Sequence, residues 1–135
     1  MIFRQLYDSV SGTYSYLLAS RQGGEALILD PVLEKVDRYL QLVRELDLKL
    51  VKALDTHVHA DHLSAAPYIQ KALGGKIGIG DRIMVVQDVF GKIFNEGTEF
   101  QRDGSQFDAL FKDGDVYQVG NLNAFAMYTP GHTPG

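Results

Sequence analysis

Cysteine and tryptophan are both absent from the 135-residue chain. Without cysteine there can be no disulfide, no thiolate metal ligand and no cysteine nucleophile. Any metal must then be held by His, Asp or Glu, a donor set that favours zinc, iron or manganese over thiophilic ions. No apolar run approaches the roughly 18 residues that mark a membrane-spanning helix, and the mean hydropathy is −0.09. The opening stretch meets charge at Arg4 and Asp8, too early for the apolar region of a signal peptide. A cytoplasmic protein with no membrane association is therefore expected. Basic clusters are missing as well: 13 Lys and Arg stand against 17 Asp and Glu, for a net charge of −4. That balance argues against a nucleic-acid surface, which needs clustered cations to neutralise phosphates.

What is present suits a single α/β domain over residues 1–135. Strands are expected at Ile2 to Tyr7, Tyr14 to Ala19 and Ala26 to Leu29, separated by the turns Ser11-Gly12 and Gln22-Gly23-Gly24. A helix follows from about Glu34 to Asp47, with Leu33, Val36, Leu40 and Val43 spaced to form its apolar face. Leu48 to Leu54 reads as a strand, Leu63 to Leu73 as a helix stopped by Gly74-Gly75, and Lys76 to Ile79 as a short strand. Further helix is expected from Arg82 to Phe94, with Val86, Phe90 and Phe94 on one side. A polar surface excursion spans Asn95 to Gln106, and Phe107 to Phe111 suggests a helical turn. Asp113-Gly114-Asp115 then turns into strands at Val116 to Val119 and Leu122 to Tyr128. Gly74 to Gly80 lacks the Gly-Lys-Ser/Thr of a phosphate loop and reads as glycine-punctuated strand.

All four histidines fall at strand exits. Three lie within six positions, His57, His59 and His62, with Asp61 among them. In an extended segment His57 and His59 project to the same side, since side chains alternate with period two, so both can reach one ion. Asp61 and His62 come where the chain turns toward helix and can face a neighbouring position. A strand end opening onto a helix is also where α/β folds place ligand sites. His132 sits in the loop Thr129-Pro130-Gly131-His132-Thr133-Pro134-Gly135, leaving the last strand.

Thr56-His57-Val58-His59-Ala60-Asp61-His62 resembles the H-x-H-x-D-H signature of the metallo-β-lactamase superfamily. Tyr128 to Gly135 is similar to its second metal motif, and Leu27 to Val32 to the strand before its first helix. The resemblance implies the αββα sandwich of that family, here its first half plus the second metal-motif loop. Asp55 to Gln70 resembles the persulfide dioxygenases more than the glyoxalase II thioesterases. The stretch from Val85 to Asp115 resembles an insertion in bacterial β-lactamase-hydrolase-like proteins. On this resemblance the expected activity is oxidation of glutathione persulfide to sulfite with O₂, at one ferrous ion. His57 and His132 would be iron ligands, with His59, Asp61 and His62 lining or completing the site and Asp61 as the candidate catalytic carboxylate. The alternatives are a dinuclear zinc hydrolase of the thioesterase or lactonase type, and a non-catalytic interaction module. The family's remaining carboxylate ligand lies on a strand after the second motif, so the chain is expected to be part of a longer enzyme. Half a sandwich exposes an apolar sheet face, across which a homodimer is expected. The expected small-molecule partner is a thiol or persulfide.

Overall fold

The computed structural model of the chain describes residues 1–57, 64–80 and 107–132. Three antiparallel strands come first: β1 (Ile2–Asp8), β2 (Thr13–Ala19) and β3 (Glu25–Leu29). A 3₁₀ turn at Leu33–Lys35 leads into helix α1 (Val36–Glu45), followed by β4 (Lys49–Asp55), α2 (Ala66–Leu73) and β5 (Lys76–Gly80). Next come β6 (Ala109–Phe111) and an antiparallel pair, β7 (Val116–Val119) and β8 (Leu122–Phe125). The main sheet runs in the order β1-β2-β3-β4-β5-β6, and β3 through β6 are mutually parallel. Parallel neighbours need a crossover, usually a helix, and α1 and α2 supply the two crossovers on either side of β4.

Alternation along the strands separates two faces. Ala26 and Ile28 of β3, with Leu17, Leu50, Ala53 and Ile77, share one core with Tyr39, Leu42 and Val43 of α1 and Ala66 and Ile69 of α2. Both helices therefore cover the same side of the sheet. Buried Leu27 and Leu54 lie outside that cluster, as does Val119 of β7, which is only 2% exposed. The β7–β8 pair is tied to β3 and β4: Lys52 Nζ donates to the Gln118 carbonyl at 3.0 Å, and Gly120 N–H donates to Glu25 Oε2 at 3.0 Å. Helices, main sheet and second sheet are thus three layers of the expected αββα arrangement. Toward the β1 edge the aromatic pairs Phe3–Tyr16 and Tyr7–Tyr14 pack ring to ring, with Phe3, Tyr7 and Tyr14 each about half exposed.

Four sequence expectations shift. The helix expected from Glu34 to Asp47 divides into the 3₁₀ turn and α1, and its buried face is led by Tyr39 and Leu42, while Leu40 is only half-buried. The second helix begins at Ala66, because Ser64 is held in an isolated bridge to Val32 and its hydroxyl accepts the Ala66 N–H. Phe107 to Phe111 contains strand β6 rather than a helical turn: Ala109–Phe111 pairs in parallel register with Gly78–Gly80. Three residues are too few for periodicity to distinguish the two. Gly78 makes this pairing possible, since a Cβ there would come within 2.8 Å of the Phe111 ring and 3.1 Å of the Ala109 carbonyl. The last strand ends at Phe125, three residues short of Tyr128. The helix expected at Arg82 to Phe94 and the excursion at Asn95 to Gln106 lie outside the described residues.

Asp108 fastens the approach to β6. Its carboxylate accepts the Ile77 N–H at 2.9 Å and a hydrogen bond from Gln70 of α2. The Ile77 N–H, foremost, and then Gln70 and the nearby Lys76 hold its pKa below the ordinary aspartate value, against some desolvation. A group depressed in the folded state stabilises above its unfolded pKa of about 3.9 and loses that contribution as pH falls through the lower folded value. Urea midpoints should therefore fall below about pH 4, and Asp108→Asn should flatten that acid limb. Equal acid slopes for the two proteins would refute this role.

Candidate metal centre

The candidate site forms where β3 and β4 end side by side. At the end of β3 Asp30 adopts φ +50, a left-handed conformation that aspartate tolerates better than most non-glycine residues. It is pinned along its whole length. Its N–H donates to the Leu54 carbonyl at 2.8 Å, and its carbonyl accepts Ser15 Oγ at 2.7 Å. Its carboxylate takes the Thr56 N–H on Oδ1 at 2.7 Å and the Thr56 hydroxyl on Oδ2 at 2.8 Å. Asp30 is buried, 8% exposed, and so meets the rule that buried charge must be hydrogen-bonded. One residue on, His57 Nδ1 lies 2.8 Å from Thr56 Oγ1.

Ser64, where the described residues resume, is held by a second buried carboxylate. Asp55 accepts Ser64 Oγ on both oxygens, at 3.0 and 2.8 Å, and Ala65 N–H donates to the Pro31 carbonyl at 2.8 Å. The segment carrying the first histidine motif thus leaves and rejoins the strand ends at two adjacent anchors.

His132 arrives from the other direction. Beyond β8, the Tyr128 N–H donates to Asp113 Oδ1 at 2.8 Å, and Gly131 turns the chain at φ +146. The rings of His57 and His132 meet with centroids 4.8 Å apart and planes at 84°. Two imidazoles on one ion, each nitrogen about 2.1 Å from it, hold their ring centres on the order of 5 Å apart. The separation of the two rings matches that spacing. His59, Asp61 and His62 lie outside the described residues, and among the described residues no cluster of three candidate ligands forms. The structure thus brings together the first and last of the expected ligands, 75 positions apart in sequence.

A cavity of about 250 Å³ opens beside them, lined by the residues that precede each histidine, Asp55 and Thr56 on one side and Tyr128 and Thr129 on the other. Phe111 and Tyr117, whose rings are 5.0 Å apart, make an apolar wall. Burial pushes the Tyr117 phenol pKa up from its ordinary value. These supports do not show in the sequence: Asp30 falls within the stretch Leu27 to Val32 and Thr56 within the first histidine motif. Asp55 and Ser64 carried no signal, because nothing in a linear pattern shows that positions nine apart meet across a loop.

The architecture and the paired histidines are those of an α/β sandwich protein with a candidate metal site. The chain belongs to the metallo-beta-lactamase superfamily, whose family model matches residues 8–135. A probable metallo-hydrolase of Burkholderia pseudomallei is 45% identical over 145 residues, covering 99% of this chain and 49% of that protein. The mitochondrial persulfide dioxygenase of Bos taurus is 36% identical over 135 residues, covering all of this chain and 46% of that protein. The crystal structure of ETHE1 from Myxococcus xanthus superposes with a TM-score of 0.77 at 38% identity, covering 99% of this chain and 51% of that one. The chain spans about half the length of these relatives. No helix among the described residues is long and apolar enough to cross a membrane.

Proposed function

We propose that the chain carries part of the metal site of a persulfide dioxygenase, an enzyme oxidising a thiol-borne persulfide such as glutathione persulfide with O₂. The observation that carries this reading is the meeting of the His57 and His132 rings, 4.8 Å apart, next to a cavity of about 250 Å³ whose lining includes Thr56, the neighbour of His57. Whole-chain similarity to a protein named persulfide dioxygenase supports the choice of reaction. His57 and His132 would hold a ferrous ion, with His59, Asp61 and His62 of the intervening motif beside them. When bound, such an ion supplies open coordination positions where sulfur and O₂ can meet. The chain's own part is to orient the His57 imidazole through Thr56 and to offer the Phe111–Tyr117 wall to the substrate's apolar portions. A second reading, a zinc-dependent hydrolase, is favoured by the 45% identity to a probable metallo-hydrolase.

Metal analysis of protein purified without added metal, run beside oxygen uptake on glutathione persulfide and cleavage of a thioester, separates the two. About one iron per chain with oxygen uptake is the expected result for a chain extended to the length of its relatives, where the remaining carboxylate ligand is supplied. Two zinc ions with thioester cleavage would overturn the dioxygenase reading in favour of the hydrolase.

A further inference from the structure

The hydrogen bonds along Asp30, Thr56 and His57 admit one arrangement of protons. A threonine hydroxyl has one proton to donate. Thr56 Oγ1 lies 2.8 Å from Asp30 Oδ2, and a carboxylate can only accept, so that proton is committed to Asp30. The contact of 2.8 Å between the same oxygen and His57 Nδ1 must then run the other way, with Nδ1–H donating to Thr56 Oγ1. We infer that Asp30, acting through Thr56, is a positioning residue that holds His57 in the Nδ1-protonated tautomer and so presents its Nε2 lone pair to a metal ion.

The second oxygen of Asp30 explains why the relay keeps its direction. Oδ1 receives the Thr56 backbone N–H at 2.7 Å, so the carboxylate is oriented by a donor that cannot move without unravelling the end of β4. With φ at +50, Asp30 reaches both the backbone N–H and the hydroxyl of Thr56. These contacts by themselves set the Nδ1-protonated tautomer. Its consequence for metal binding rests on the reading of His57 as a ligand.

Asp30→Asn makes a sharp test, because asparagine also tolerates the left-handed region and keeps the shape. Its carbonyl oxygen must face the Thr56 N–H, which leaves its amide NH₂ facing Thr56 Oγ1 as a donor. The threonine hydroxyl is then released to donate to His57 Nδ1, and the imidazole proton moves to Nε2. Nitrogen-15 NMR of the metal-free chain distinguishes the two tautomers directly. The wild type and Thr56→Ser should show protonated Nδ1, Asp30→Asn should show protonated Nε2, and Thr56→Val should lose the Nδ1–H preference. Zinc affinity, measured by chelator competition, should fall roughly ten- to hundredfold in Asp30→Asn and Thr56→Val and hold in Thr56→Ser. A wild-type ring protonated on Nε2, or one unchanged by Asp30→Asn, overturns the inference, as does a tautomer switch with unaltered zinc affinity. A chain with the expected tautomers that binds no zinc at all would instead strike the metal-site reading and leave the relay standing. Should Asp30→Asn fail to fold, the exposed Thr56 pair decides by itself.

Discussion

Replacing His132 with alanine is expected to remove most of the stabilisation that metal confers while leaving the metal-free protein untouched. A ligand present at a thousand times its Kd stabilises the folded state by about 4 kcal/mol. Loss of a supporting contact behind a ligand typically costs ten- to hundredfold in affinity, so loss of the ligand itself should cost at least the upper figure. At the same metal concentration that removes about 2.7 kcal/mol, on the order of 10 °C in the midpoint of thermal unfolding for a domain of this size. His132 is exposed, so in chelator the variant should unfold within about 0.5 kcal/mol of the wild type. His57→Ala should give the same metal-dependent loss, and the double variant little more than either alone, because two ligands of one ion couple strongly. Thermal scans of the four proteins with zinc and with chelator provide the check. A full metal-dependent increment in His132→Ala would dissolve the site.

The sequence made the ligands legible and left their scaffolding hidden, for a physical reason. His57, His59, Asp61, His62 and His132 announce themselves because imidazole and carboxylate are uncommon at such density and close spacing is visible along a line. The layer order was legible too, since strand and helix alternate and Asp30-Pro31 and Gly74-Gly75 punctuate them. The roles of Asp30, Asp55 and Ser64 depend on contacts across 26 and 9 positions, which no periodicity encodes. Strand β6 was missed because its three residues obtain their pairing from Gly78, 31 positions earlier. Tyr39 was missed for a different reason. A tyrosine on a helix reads as half-polar, and the apolar face was drawn through Leu40 instead.

Tyr39 is where that misreading has its largest energetic consequence. Its ring is 3% exposed in the core beneath α1, and its hydroxyl accepts the Val32 N–H at 3.0 Å. The same hydroxyl lies 3.1 Å from Ser15 Oγ, whose own proton goes to the Asp30 carbonyl at 2.7 Å. With the serine proton committed, the tyrosine must donate to Ser15, and the three groups form a directed chain ending on the strained Asp30. Tyr39→Phe preserves the packing and deletes one oxygen. It strands the buried Val32 N–H and a lone pair of Ser15, at a cost of about 1–3 kcal/mol. Urea unfolding should show a lower midpoint with an unchanged slope, the mark of lost stability rather than altered compactness. Ser15→Ala should cost a similar amount, and the double variant distinctly less than the sum, with a coupling energy of about 0.5 kcal/mol or more. Strict additivity would mean that the chain does not act as one network. A loss below about 0.5 kcal/mol in Tyr39→Phe would mean that the Val32 N–H finds another partner. Because the chain ends on Asp30, Tyr39→Phe should also weaken zinc binding, by less than Asp30→Asn does. It loosens the turn that carries the carboxylate and leaves the carboxylate itself in place, with its proton relay to His57 intact.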